Sequence, residues 1–213
     1  MTAATGTVLD IDSLVVEFDT PEGTVRAVDG VSYSVSAGET LAVVGETGSG
    51  KSVTVLAAFG LLDAGRIVSG TVRFGGQDLL RMPDKRLRRL LGSELTMVFQ
   101  NPMSALNPVM TVGRQVAETL VVHDRKLSNA AARARSIELL SMVGVPQPDV
   151  RYDQYPHEFS GGMCQRVVIA MAIANNPKVI IADEPTTAVD VTVQAQLLEL
   201  LRVARQETGA AVV

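Results

Sequence analysis

The stretch Gly45-Glu46-Thr47-Gly48-Ser49-Gly50-Lys51-Ser52 constrains this chain more than any other. It follows the apolar run Leu41-Ala42-Val43-Val44, which reads as a buried strand, and it leads into a helix expected over Ser52 to Leu62. Strand, glycine loop and helix are the setting in which a G-x-x-x-x-G-K-S pattern, the Walker A motif, cradles phosphate. The glycines let backbone N–H groups turn inward where a Cβ would obstruct. The helix that follows points its positive N-terminal end at the same anion. Lys51 brings a compact positive charge to the β- and γ-phosphates of a nucleotide, and the Ser52 hydroxyl is a ligand for Mg²⁺. Such a loop belongs to an α/β fold.

Downstream, Lys178 to Ala182 reads as a buried strand that delivers Asp183 at its C-terminal end. This has the form of a Walker B element, whose carboxylate holds Mg²⁺ beside the phosphates. Glu184 follows directly. Between the two motifs lies Phe159-Ser160-Gly161-Gly162-Met163, where Ser160 suits the N-cap of a helix running to Ala174. A hydroxyl and exposed N–H groups at a helix start are suited to an incoming phosphate.

Composition narrows the class. At 213 residues the chain is long enough to bury a sizeable core, and with 46% hydrophobic and 20% charged residues it reads as globular. A net charge of -4 provides no broad basic face for nucleic acid. The single cysteine, Cys164, excludes an internal disulfide framework. No apolar run approaches the length of a membrane span, and the first residues do not resemble a secretion signal. The expectation is a soluble cytoplasmic protein, so any work at a membrane requires partners that carry the spans.

Other elements follow from local pattern. Val8 to Glu17 and Val31 to Val35 read as strands joined by a turn at Pro21-Glu22-Gly23, and Thr71 to Phe74 as another. Leu95 to Phe99 runs apolar into Gln100. Thr111 to Val143 reads as helical, stopped by Gly144 and the prolines at 146 and 148. Val193 to Gln206 is amphipathic, with Leu197, Leu198, Leu200 and Leu201 on a helix face. Gly209 to Val213 looks like the opening of a further buried strand. Because a domain seldom ends mid-strand, the sequence is expected to be a fragment, or the leading part of a longer polypeptide.

Taken in order, these motifs resemble the ABC ATPases, in which the SGG signature of one subunit closes over ATP held by the Walker A motif of another. Three blocks resemble the dipeptide, oligopeptide and nickel importer branch. They are Phe99-Gln100-Asn101-Pro102 through Asn107-Pro108, Tyr155-Pro156-His157-Glu158 through Met163, and Asp183-Glu184-Pro185-Thr186-Thr187-Ala188-Val189-Asp190 through Gln196. The resemblance implies a RecA-like P-loop core, an N-terminal antiparallel β element and a helical subdomain inserted over about 102–176. It also implies that residues 1–213 form a nucleotide-binding domain incomplete at its C-terminus. Carried over, Glu184 polarises the attacking water, Gln100 contacts Mg²⁺ or that water, and Asp183 and Ser52 serve Mg²⁺. Residues 45–52 hold ATP. Ser160, Gly161, Gly162 and Met163 contact the γ-phosphate presented by a second subunit, and Asp190 bridges the two subunits. Phe18 is the candidate for the aromatic that stacks on adenine; it reads equally as an apolar residue at a strand edge.

The implied partners are a second ATPase subunit in a head-to-tail dimer, transmembrane permease subunits and, indirectly, an extracytoplasmic solute-binding protein. The implied place is the inner face of the cell membrane, held there by the permease. The implied function is ATP hydrolysis that powers solute import, of peptides first and of nickel or another solute in the alternative. Two other classes stay open: a soluble ABC ATPase without transport, and an ATP-binding piece without turnover. Phe159 and Cys164 depart from the family pattern, which has Leu and commonly a basic residue there. Cys164, near a helix start, reads either as a thiol of lowered pKa or as a small residue tolerated on the helix surface. The family's switch histidine lies beyond residue 213; neither His123 nor His157 is placed for that role.

Overall fold

The computed structural model describes residues 6–99, 102–184 and 191–213, and the side chains from 194 onward in the last segment. The chain divides into two compact units, residues 1–91 with 211–213 and residues 92–210.

The first unit is built on a hairpin. Strands β1 (Thr7–Thr20) and β2 (Gly23–Ser36) pair antiparallel around the turn at Pro21 and Glu22, ending with Thr20 opposite Gly23. Helix α1 (Lys51–Ala58) packs against both strands, β3 (Arg66–Phe74) pairs with the other edge of β1, and β4 (Gln77–Asp78) pairs with β3. Helix α2 (Asp84–Leu90) closes the segment. The sheet order is β2-β1-β3-β4. Along β1, Leu9 and Ile11 are buried at odd positions and Leu14 and Val16 at even ones. The pleat alternates with period two, so continuity of the buried face requires one extra residue between them. The register shift between Ile11 and Leu14, with Ser13 at φ 51°, supplies it as a bulge. Val28, Val35, Val72 and Phe74 complete this core with Val55, Ala57, Ala58 and Phe59 from the α1 segment.

One expectation fails in this unit. Leu41–Val44 is not a buried strand: Val43 and Val44 are 44% and 89% exposed. The short strand Ala211–Val212 bonds to this segment through Leu41 N–H to Val212 O and Val212 N–H to Glu39 O, both at 2.8 Å. Those bonds stop at Leu41, and apolar residues become a strand only where a ladder continues alongside them.

In the second unit, β5 (Leu95–Val98) and β6 (Val179–Ala182) pair in parallel, from Leu95 opposite Val179 to Val98 opposite Ala182. Around them stand α3 (Pro102–Ala105), α4 (Val112–His123), α5 (Asn129–Met142), α6 (Pro148–Arg151), α7 (Gly161–Ile173) and α8 (Val191–Thr208). Val179, Ile180 and Ile181 are at most 1% exposed, so the strand that leads to Asp183 is core on both faces. The expected continuous helix over 111–143 is two helices. Asp124 turns the chain, its carboxylate accepting from Lys126 N–H at 3.0 Å, and Ser128 caps the restart by accepting from Ala131 N–H at 3.2 Å. Gly144, at φ 77°, ends α5 where expected. On α8, Leu197, Leu200, Leu201 and Ala204 are buried, whereas Leu198 is 59% exposed. The buried stripe therefore follows i, i+3, i+4, i+7, and Leu198 falls outside it.

Candidate nucleotide-binding site

The phosphate loop lies in the first unit. Residues 45–49 are exposed, so their backbone amides are open to a ligand. Gly50 is the left-handed N-cap of α1 at φ 89°, and a Cβ there would lie 2.3 Å from the carbonyl oxygen of Ala27. No other residue fits that position, which wedges the loop against β2. The turn is closed by Ser49 N–H donating to Glu46 O at 3.1 Å. Lys51 Nζ spans the loop, donating to Gly45 O at 2.8 Å and Glu46 O at 3.0 Å. Ser52 stands in the first turn of α1, and two residues on Thr54 anchors the helix by bonding Gly50 O through both its amide and its hydroxyl. Thr47, Gly48 and the rest of the motif thus occupy one short loop ahead of one helix.

Phe18 is half-buried in the same unit. Gly50 touches β2 at Ala27, and the ladder sets Arg26 opposite Glu17 and Val28 opposite Val16. Phe18 is one residue beyond Glu17 and stands opposite Val25, two residues along β2 from Ala27. A charged lattice surrounds it. The Glu17 carboxylate, 13% exposed, receives Arg26 at 3.2 Å and Arg66 at 2.8 Å, and Arg66 also reaches Asp19 at 2.9 Å. Arg26 has its pKa raised, first by its hydrogen bond to Asp29 and then by that to Glu17.

The acidic pair and the signature lie in the second unit. Asp183 N–H extends the parallel ladder to Val98 O at 3.1 Å, which fixes the backbone at the end of β6. Glu184 follows in the left-handed region, at φ 44°. A side chain in that conformation costs roughly 1–2 kcal/mol, and such strain concentrates where function demands a particular orientation. At the start of α7, Ser160 Oγ accepts from Met163 N–H at 3.3 Å, so the expected N-cap is present. Gly161 and Gly162 are exposed, and a Cβ on either would meet nothing within 4 Å. Nothing among the described residues requires glycine there.

Phe159 is buried, with the Arg151 guanidinium 5.6 Å from its ring centroid, so the departure from the family's leucine is absorbed by packing. Cys164 is fully buried with Sγ 3.6 Å from Pro156 O, and burial raises its pKa. The thiol is a small core residue, so both readings are corrected: burial opposes a reactive thiolate, and the side chain is not on the helix surface. Gln100 and Asp190 lie outside the described residues.

Two contributors carry no motif. Gln115, 5% exposed, accepts from Asn107 N–H at 2.8 Å and donates to Asn107 O at 3.0 Å and Met110 O at 2.9 Å, clamping the loop ahead of α4. Gly65 packs on Phe18, and the sequence signals it only by the glycine itself, at the end of Asp63-Ala64-Gly65.

The family model described as ABC transporter matches residues 28–187, a span that contains both Walker elements and the signature. The chain belongs to the ABC transporter family. It is 52% identical over 206 residues to the dipeptide transport ATP-binding protein DppD of Escherichia coli, covering 96% of this chain and 63% of that protein. It is also 52% identical over 196 residues to the oligopeptide transport ATP-binding protein OppD of Bacillus subtilis, covering 91% and 54%. The chain therefore spans somewhat over half the length of these relatives. Among solved structures it is similar to the ATP-binding cassette MJ0796 in a dimeric post-hydrolysis state bound to ADP and Pi. That match has TM-score 0.82 and 27% identity, covering 96% of this chain and 86% of the other. It is also similar to cbiO1 from Clostridium perfringens, with TM-score 0.78 and 28% identity, covering 97% and 76%. The α/β ABC ATPase fold read from the motifs is the fold of the chain.

Proposed function

We propose that this chain is the nucleotide-binding part of a peptide-importing ABC transporter, which binds and hydrolyses ATP to power uptake. The observation that carries the reading is the signature: Gly161 and Gly162 open onto solvent with no internal need for glycine, as a surface that closes over another subunit's nucleotide would. The names of the relatives support peptides over nickel as the solute. In this reading residues 45–52 hold the phosphates, Phe18 stacks on adenine, and Glu184 and Gln100 orient and polarise the attacking water. Ser160 to Met163 serve the nucleotide of a second subunit, in a head-to-tail dimer bridged at Asp190.

In the same reading Ser52, Gln100 and Asp183 would hold Mg²⁺, since their hydroxyl, amide and carboxylate oxygens are the hard ligands that ion takes. When bound, the ion neutralises charge on the β- and γ-phosphates. Residues about 102–176 form the helical subdomain, and permease subunits fed by a solute-binding protein hold the whole at the inner face of the membrane. In support, no helix among the described residues is long and apolar enough to cross a membrane itself.

The test is phosphate release by the whole protein reconstituted with its permease and solute-binding protein in vesicles, with and without dipeptide. Peptide-stimulated release is expected. Release without any peptide or permease dependence would favour a soluble ABC ATPase, and stimulation by nickel alone would move the solute.

A further inference from the structure

We propose that Gly65 is a positioning residue for the nucleobase, acting by bracing the ring of Phe18; the proposal rests on the reading that Phe18 stacks on adenine. Gly65 joins α1 to β3 and stands at φ +89°, where glycine is at ease and other residues are strained. A Cβ built there would lie 2.8 Å from the carbonyl oxygen of Glu17 and 3.0 Å from both Cδ1 and Cε1 of Phe18. Those two carbons are one edge of the ring. The bare glycine therefore lets that edge rest on the backbone, which limits rotation of the ring and fixes the plane that its faces present.

The brace is itself held in place. Arg66, the next residue, is ion-paired to Glu17 at 2.8 Å and to Asp19 at 2.9 Å, the two neighbours of Phe18 in sequence. The ladder reinforces this, since Glu17 is opposite both Arg26 on β2 and Arg66 on β3. Residues 17–19 and 65–66 thus form one patch with Phe18 at its middle. A flat aromatic held this way loses little rotamer freedom when a base stacks on it, which is how pre-organisation raises affinity. A side chain at 65 must displace either the Glu17 backbone or the ring. The ring is the softer of the two.

The experiment compares Mg²⁺-ATP with Mg²⁺-tripolyphosphate, which has the phosphates and no base, by calorimetry on the 213-residue chain. Phe18→Ala is expected to weaken ATP binding by roughly 5- to 150-fold, the range for loss of base–aromatic stacking, with tripolyphosphate unchanged. Gly65→Ala is expected to do the same, and to add nothing in the Phe18→Ala background, because both act through one ring. Gly65→Asn, which tolerates a left-handed backbone but keeps the Cβ, should match Gly65→Ala. If Phe18→Ala leaves ATP affinity unchanged, the stacking reading fails and this proposal with it. If Phe18→Ala weakens ATP but the Gly65 variants do not, stacking stands and the brace is refuted. If the Gly65 variants lose tripolyphosphate binding equally, or fail to fold, Gly65 serves the fold and the proposal is overturned.

Discussion

Lys51 Nζ donates a 2.8 Å hydrogen bond to the carbonyl oxygen of Gly45, so the ammonium at the start of α1 is held across the loop by the motif's own first residue. Glu46 O accepts a second bond at 3.0 Å. Neutral carbonyls are weaker acceptors than phosphate oxygens, so an incoming triphosphate can take over these donors without moving the lysine far.

Lys51→Ala should therefore weaken ATP binding severely. A hydrogen bond to a charged group is worth about 1.5–3 kcal/mol, which for one bond alone is a loss of about 10- to 150-fold. Lys51→Arg should not restore it, because the fork of a guanidinium does not occupy the space of an ammonium. Calorimetric titration with ATP checks both; parental affinity in the alanine variant would remove Lys51 from the phosphate site.

Glu184→Gln should leave ATP affinity intact in the whole protein and slow hydrolysis by roughly 10²–10⁴-fold, since the amide keeps the shape and loses the base. The variant should also accumulate as an ATP-bound dimer, visible by gel filtration. Glu184 holds φ 44°, and glutamine inherits that backbone, so the comparison isolates charge from conformation. Near-parental turnover would place the catalytic role elsewhere.

Ser160→Ala should cost about 1 kcal/mol of stability, the usual value of an N-cap, and should also impair hydrolysis. Ser160→Asp separates the two effects. It restores the cap to Met163 N–H, so the melting temperature should recover, but its charge repels a γ-phosphate, so turnover should not. Joint recovery of stability and turnover would mean that Ser160 acts only as a cap.

What the sequence made legible was local. The turn before Gly23, the stop at Gly144, the cap at Ser160 and the all-apolar β6 depend on residues a few positions apart. Leu41–Val44 misled because four apolar residues state a preference for strand without supplying the ladder that makes one. Leu198 misled because four leucines in five positions leave the buried stripe ambiguous until a partner surface selects it. Gly65 and Gln115 were illegible for the opposite reason: their partners, Phe18 and the 107–110 loop, are defined only by the fold. For Gln100 and Asp190 the motif remains the whole of the support.

Cys164 should resist a thiol-specific disulfide reagent in the native protein and react in denaturant. Its position four residues into α7 would favour a thiolate, which the helix N-terminus stabilises. Burial opposes this and wins: the side chain is 0% exposed and its pKa is raised. Both the lower thiolate fraction and the lack of access slow the native reaction. Reaction at the same rate with and without denaturant would contradict the burial.

Gly113→Ala should be destabilising, against the ordinary expectation for a helix. In an open helix the change from glycine to alanine is worth about 1 kcal/mol in favour of folding. At Gly113 of α4 the new Cβ would lie 2.0 Å from Cδ2 and 2.1 Å from Cγ of Tyr152. Tyr152 is 6% exposed, so the ring has little room to back away, and moving it would disturb Arg133, which stands 4.0 Å from its centroid and is bonded to Asp153 at 3.1 and 2.8 Å. The backbone cannot easily shift either, since Gly113 N–H donates to Tyr152 O at 2.9 Å. Overpacking of this kind costs about 1–3 kcal/mol, enough to reverse the helix preference. The sign should turn again once the ring is removed: in a Tyr152→Ala background, Gly113→Ala should stabilise by up to about 1 kcal/mol. Urea denaturation of the four proteins in the cycle measures this directly. Destabilisation of equal size in both backgrounds would show that the glycine is needed for some reason other than the ring of Tyr152.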